Sequence, residues 1–115
     1  ARLTTDGWEI ITVDAAPSHN VGAYASLDLD TFGYPHIGYW DEADGDVKYA
    51  YQDAGGWHIA WVDTDRSVGE YLSLDLDSLH GVHISYYDAI NGDLKYAYDA
   101  GRPLRTLRMP IVTRP

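Results

Sequence analysis

Along most of this chain apolar and polar side chains alternate one for one. That period places successive residues on opposite faces of an extended strand and cannot be laid on a helix. Over residues 24–30, Leu27 and Leu29 alternate with Ser26, Asp28 and Asp30. Over residues 35–41, Ile37 and Tyr39 share one face and His36, Gly38 and Trp40 the other. Residues 46–52 set Val47, Tyr49 and Tyr51 against Lys48 and Ala50, and a fourth run spans 57–63. Asp44-Gly45 and Gly55-Gly56 separate these runs, and Asp-Gly is a strong hairpin signal. No segment carries a convincing amphipathic helical period.

The arrangement is then written again. Residues 21–52 recur as 68–99 at a constant offset of 47, with 18 of the 32 positions identical, and Asn91-Gly92 replaces Asp44-Gly45 at the hairpin. Four antiparallel strands in a period in the forties describe a β-propeller blade. Both faces of these strands are largely apolar, which suits a blade sandwiched between neighbours better than one layer of a β-sandwich. The expected fold is all-β, with two four-stranded blades in residues 1–101. Blade one spans 21–63, and 68–101 forms the core of blade two. Residues 7–14 align with 56–63 at an offset of 49, so 1–14 reads as an orphan outer strand, expected to pair with residues 97–99 of a carboxy-terminal blade within or between chains. Residues 102–115 form an atypical basic tail, whose Pro103 and Pro110 argue against an ordinary fourth strand. Two blades cannot close a ring and leave two apolar faces and two sheet edges in water. The expected partner is therefore the chain itself, in a homotrimer closing six blades or, as the alternative, a tetramer closing eight.

Charge narrows the partners further. The net charge is −10, and all 18 acids lie in residues 1–101, opposed there only by Arg2, Lys48, Arg66 and Lys95. Residues 102–115 carry Arg102, Arg105, Arg108 and Arg114 and no acid. An acidic body is the wrong surface for a nucleic-acid groove, and no apolar run approaches a membrane span, so neither partner is expected. The chain has no cysteine, which excludes disulfides and thiolate metal sites and leaves the compartment open, with a secreted or extracytoplasmic one favoured.

Candidate chemistry is sparse. Asp28/Asp30 and Asp75/Asp77 sit on the expected innermost strands, where rings of acids could hold a cation. Their repetition points instead to acceptors that tie neighbouring units together. Residues 41–46 lack the ligand spacing of a calcium loop. His36 and His83 repeat without a second histidine at ligand spacing and read as packed, hydrogen-bonded side chains. No nucleophile–base constellation and no distinct pair of glycosidase carboxylates stands out, so neither an enzyme nor a cofactor is expected. The aromatics remain: ten Tyr, four Trp and one Phe. Most belong to packing between units, and Trp8, Trp40, Trp57 and Tyr87 are the candidate ligand-binding residues.

The run Pro35-His36-Ile37-x-Tyr39-x-Asp41, with Asn91-Gly92-Asp93-Leu94-Lys95-Tyr96-Ala97 and Gly56-Trp57, resembles repeats of bacterial β-propeller proteins of mostly unassigned role. The likeness covers residues 7–101. The order of an Ile-x-x-Tyr strand, a glycine hairpin and a Gly-x-Trp strand is also similar to fucose-binding propeller lectins, some of which build six-blade rings from three two-blade chains. A tachylectin-like propeller is an equally loose match. In the fucose-binding family an Arg after the Ile and a Glu in the third strand clamp the sugar. Here those positions hold Gly38 and Ser85, and Tyr49 and Tyr96, so fucose specificity is not implied. The resemblance implies a non-enzymatic module that recognises a neutral carbohydrate between blades. The alternative is a scaffold, or a fragment of a longer propeller, with no ligand of its own.

Overall fold

The computed structural model describes residues 1–65 and 67–100 and the backbone of 111–113. The described residues contain no helix. A short hairpin of β1 (Arg2–Thr4) and β2 (Gly7–Glu9) comes first. Sheet one follows, from β3 (Val21–Leu29), β4 (Pro35–Asp41), β5 (Asp46–Asp53) and β6 (Gly56–Asp63), in spatial order β3-β4-β5-β6. Sheet two repeats it with β7 (Val68–Leu76), β8 (Val82–Asp88), β9 (Asp93–Asp99) and β10 (Ile111–Thr113). Every pairing is antiparallel between sequence neighbours.

The two ends depart from the expectation. Residues 7–9 pair with 2–4 rather than with 97–99, and residues 10–20 form no strand. The outer edge of β9 is taken by β10, with Ile111 opposite Tyr98, Val112 opposite Ala97 and Thr113 opposite Tyr96. An open edge presents a row of unpaired N–H and C=O groups that any extended segment within reach can satisfy. The β-branched run 111–113 suits that role, and Pro110 precedes the paired residues, so it takes no ladder donor away. The rest of the basic tail lies outside the described residues.

The sheets pack face to face. Val47 of sheet one and Val68 of sheet two are fully buried, with Leu72, Leu74, Val82, Ile84 and Tyr86 completing the core. Gly38 lies under Leu72 so closely that a Cβ there would come within 2.7 Å of a leucine methyl. The inner strands β3 and β7 are joined by side chains reaching across to backbone. The Leu74 N–H donates to Ser26 Oγ (3.1 Å), and the Leu76 N–H to Asp28 Oδ2 (3.0 Å). That Leu76 N–H holds the Asp28 carboxyl below its ordinary value. The inner-strand acid therefore acts as a structural acceptor, as its repetition suggested.

A second tie is ionic. Asp63, at the end of β6, reaches sheet two, where its Oδ2 accepts from the Tyr86 hydroxyl (2.6 Å) and lies 2.8 Å from Lys95 Nζ. Asp14 does the same to sheet one, accepting from Tyr39 (2.7 Å) and Lys48 (2.7 Å). Residues 12–14 thus stand against sheet one as the end of β6 stands against sheet two, in keeping with the alignment of 7–14 on 56–63. Burial pushes both carboxyls up, but the lysine and tyrosine hydrogen bonds outweigh it, and both are held below the ordinary carboxylate range. Burial and the same acids push the Tyr39 and Tyr86 hydroxyls up.

Each inner strand begins with a bulge. Gly22 and Gly69 have φ of +108° and +109°, and Tyr24 and Tyr71 sit in the left-handed region at +54° and +55°. Pairing with the next strand shifts register at both places. The bulge bends the strand and re-aims the tyrosine, at a backbone cost of about 1–3 kcal/mol for a bulky residue in that conformation.

Two predictions follow from the packing and the ion pairs. A Cβ on Gly69 would meet a Val47 methyl at 2.8 Å and Trp40 at 2.9 Å, whereas one on Gly22 meets nothing within 4 Å. Because their φ values match, Gly69→Ala should be less stable than Gly22→Ala by about 1–3 kcal/mol in urea unfolding of the dilute, unassociated chain, the usual cost of overpacking. Equal losses would show that the sheets do not press together there. Carboxyls lowered in the folded state contribute stability that is present above their unfolded values and lost as pH falls through the folded ones. The melting temperature should therefore hold from neutrality to about pH 4 and drop below it, and Asp63→Asn should flatten that acid limb. An Asp63→Asn acid limb as steep as that of wild type would refute the assignment.

Candidate functional site

At the end of the sheets opposite the bulges, the faces part to leave a cavity of about 510 Å³, within the range of small-ligand sites. Sheet one lines it with His36 at the start of β4, with Tyr49, Tyr51 and Gln52 of β5, and with Asp30, Phe32 and Tyr34 of the β3–β4 loop. His80, Val82 and Asp99 close it from sheet two.

The strand pattern builds its wall. His36 pairs with Tyr51 across β4 and β5, and Tyr49 is two residues from Tyr51, so all three side chains leave the same face. Their rings stack. Tyr49 lies 5.3 Å from Tyr51 between centroids, His36 is 5.9 Å from each, and His58 of β6 adds to the row at 4.9 Å from Tyr51. His36 Nε2 lies 3.0 Å from Asp30 Oδ2 and Nδ1 lies 2.6 Å from the Tyr49 hydroxyl. A carboxylate only accepts, so Nε2 carries a proton, and in the neutral ring Nδ1 accepts from Tyr49. Asp30 Oδ1 also accepts from the Phe32 and Tyr34 N–H groups. Burial pushes the Asp30 carboxyl up, but His36 and these two N–H groups hold it below its ordinary value.

Sheet two carries the same triad. His83 meets Asp77 at 2.9 Å and the Tyr96 hydroxyl at 2.7 Å, and the His83 hydrogen bond is the main cause of the lowered Asp77 carboxyl. Both histidines are hydrogen-bonded as expected, but only His36 is closely packed, with 9% of its side chain exposed against 33% for His83. Among the described residues no cluster of three or more His, Asp or Glu is arranged to hold a metal ion.

The four residues singled out from the sequence do not meet in one place. Trp8 is on the amino-terminal hairpin opposite Leu3 and is 67% exposed. Trp57 lies on β6 opposite Gln52, beside the cavity rather than in its wall, with its indole N–H buried and without a partner. Trp40 and Tyr87 are brought into one run at the bulged end through the two left-handed tyrosines. Trp40–Tyr24, Tyr24–Tyr71 and Tyr71–Tyr87 centroids are 5.5, 5.1 and 6.3 Å apart. The cavity's own aromatics went unselected, although Tyr49 and Tyr51 share a face by simple alternation. The cavity's other rings, Phe32, Tyr34 and His80, come from loops without periodicity, where alternation gives no signal.

No protein-family model, curated protein or solved structure matches the chain. The chemistry of the cavity itself therefore carries the functional reading.

Asp30 holds the loop that forms one side of the cavity. Asp30→Ala leaves His36 Nε2 and two loop N–H groups without their acceptor and should cost about 1–3 kcal/mol of stability in urea unfolding. An unchanged midpoint would show that the triad does not hold the loop.

Proposed function

We propose that this chain is a two-blade β-propeller unit that binds a neutral carbohydrate, without catalysis, in the cavity between its sheets. The carrying observation is the row of stacked rings Tyr49, His36 and Tyr51 in a cavity that also holds three carboxylates and an amide. A sugar ring offers C–H faces that lie against aromatic faces and hydroxyls that donate to carboxylates such as Asp53 and Asp99. The amide of Gln52 both donates and accepts. Among the described residues no lysine or arginine lines the cavity, while three carboxylates do, which favours a neutral ligand over an anionic one. The propeller reading rests on the four-stranded repeat of 47 residues and on inner strands that lie side by side, as blades around an axis do.

Calorimetric titration with a panel of neutral mono- and disaccharides tests the reading. Binding is expected in the millimolar range and nearly independent of salt, because no ion pair forms. Tyr51→Ala should weaken it about fivefold, in line with an aromatic contact of about 1 kcal/mol. If no neutral sugar gives heat, or if Tyr51→Ala binds as wild type does, the cavity is not a carbohydrate site and a scaffold role replaces it.

A further inference from the structure

The chain makes one sheet-to-sheet interface and displays both halves of a second. Val47 is 0% exposed against sheet two, whereas its counterpart 47 positions on, Leu94, is 76% exposed. Leu74 is 6% exposed beneath sheet one, whereas Leu27, its counterpart, is 59% exposed. The Asp30–His36 pair lies under sheet two, with 11% and 9% of its side chains exposed; the Asp77–His83 pair, on the outward face of sheet two, has 37% and 33%.

We propose that these two outward faces fit each other, so that sheet two of one copy docks on sheet one of a second copy of this chain. Every contact in the proposed interface has a template in the one already formed. The Val68 N–H donates to the Gly45 carbonyl (2.9 Å), so the Val21 N–H of one copy meets the Gly92 carbonyl of the next. Ser26 and Asp28 accept from the Leu74 and Leu76 N–H groups, so Ser73 and Asp75 of one copy accept from Leu27 and Leu29 of the next. In the single chain the Leu29 N–H is held by its own Asp28 (2.9 Å), a stand-in for that partner. Val47 presses on Gly69, and Leu94 finds the same glycine at Gly22, with no atom within 4 Å of its Cβ position.

The two faces differ from each other, so the contact is head to tail and continues until the rotation closes a ring. Three copies, six sheets in all, is the expected closure. The partner is a copy rather than an unrelated protein because the donors and acceptors, and the valine–glycine and leucine contacts named above, have counterparts in an existing interface. None of this depends on the carbohydrate reading.

Light scattering on the 115-residue chain at tens of micromolar should give three times the 12.8 kDa of one chain. A larger closed ring would support the same interface with another closure. Leu94→Glu blocks one face and Leu27→Glu the other. Both positions are exposed in the single chain, so each variant should keep the wild-type circular dichroism and run as a monomer. Mixed in equal amounts, the two should form a one-to-one dimer, since the pair retains one intact interface. A dimer joined through one self-complementary patch would survive in one of the single variants and would not need mixing. A monomeric wild type, either variant remaining oligomeric alone, or a mixture that stays monomeric would overturn the proposal. The wild-type mass decides even if a variant fails to fold.

Discussion

One carboxylate per sheet, sent across from the segment before it, is the constraint on which the arrangement turns. Asp63 leaves the last strand of sheet one and ends between Tyr86 and Lys95 of sheet two. Asp14 ends between Tyr39 and Lys48 of sheet one in the same geometry. A lysine and a phenol placed inside an apolar face are costly unless each has a partner. The face is therefore complete only when an acid arrives from outside it. Lys48 is 8% exposed at its side chain, and its ammonium also lies over the Trp61 ring at 4.7 Å. The outer strand of one sheet and the face of the next are thereby tied in sequence order, which makes the stacking directional.

Polarity is distributed along the sheets in the same directional way. The bulged end is aromatic, with Tyr24 and Tyr71 turned toward each other at the expense of backbone strain. The other end is where loops of both sheets diverge, and there aromatic faces meet carboxylates and an amide in one cavity. Between the two ends the contact is dry around Val47 and Val68. Bulged mouth, sealed waist and open cavity thus follow from where the inner strand carries glycine, leucine and aspartate.

Much of this is legible in the sequence alone. Alternation locates the first three strands of each repeat, and the fourth of the first repeat, within a few residues, because an extended chain sends successive side chains to opposite faces. The repetition of the inner-strand aspartates and of His36 and His83 points to structural acceptors and hydrogen-bonded histidines, and Asp28, Asp30, Asp77, His36 and His83 serve in that way. The ends were not legible. Residues 10–13, Ile-Ile-Thr-Val, have strand composition, yet they form no strand with any described residue; a segment with β propensity forms a strand only where an edge is free to receive it. Ile111–Thr113 takes the edge of β9 because distance and competition decide pairing, and neither is written in local composition. The cavity escaped for a related reason: Phe32, Tyr34 and His80 are loop residues whose meeting depends on how two sheets diverge.

The contact between Gly38 and Leu72 has a further consequence, concerning order. Leucine fits there only because glycine leaves room for it. The counterpart of Gly38 in sheet two is Ser85, and the counterpart of Leu72 in sheet one is Ala25. In the interface proposed with a second copy, the large residue opposite an empty position would become a modest residue opposite a small one, so the paired bulk would be shared out differently. Two copies of sheet two laid against each other would bring Ser85 onto Leu72, and two copies of sheet one would leave a gap between Gly38 and Ala25. The near-identical repeats are therefore not interchangeable tiles. They are the alternating members of a two-letter pattern, and any closed arrangement obeying that pattern contains an even number of sheets.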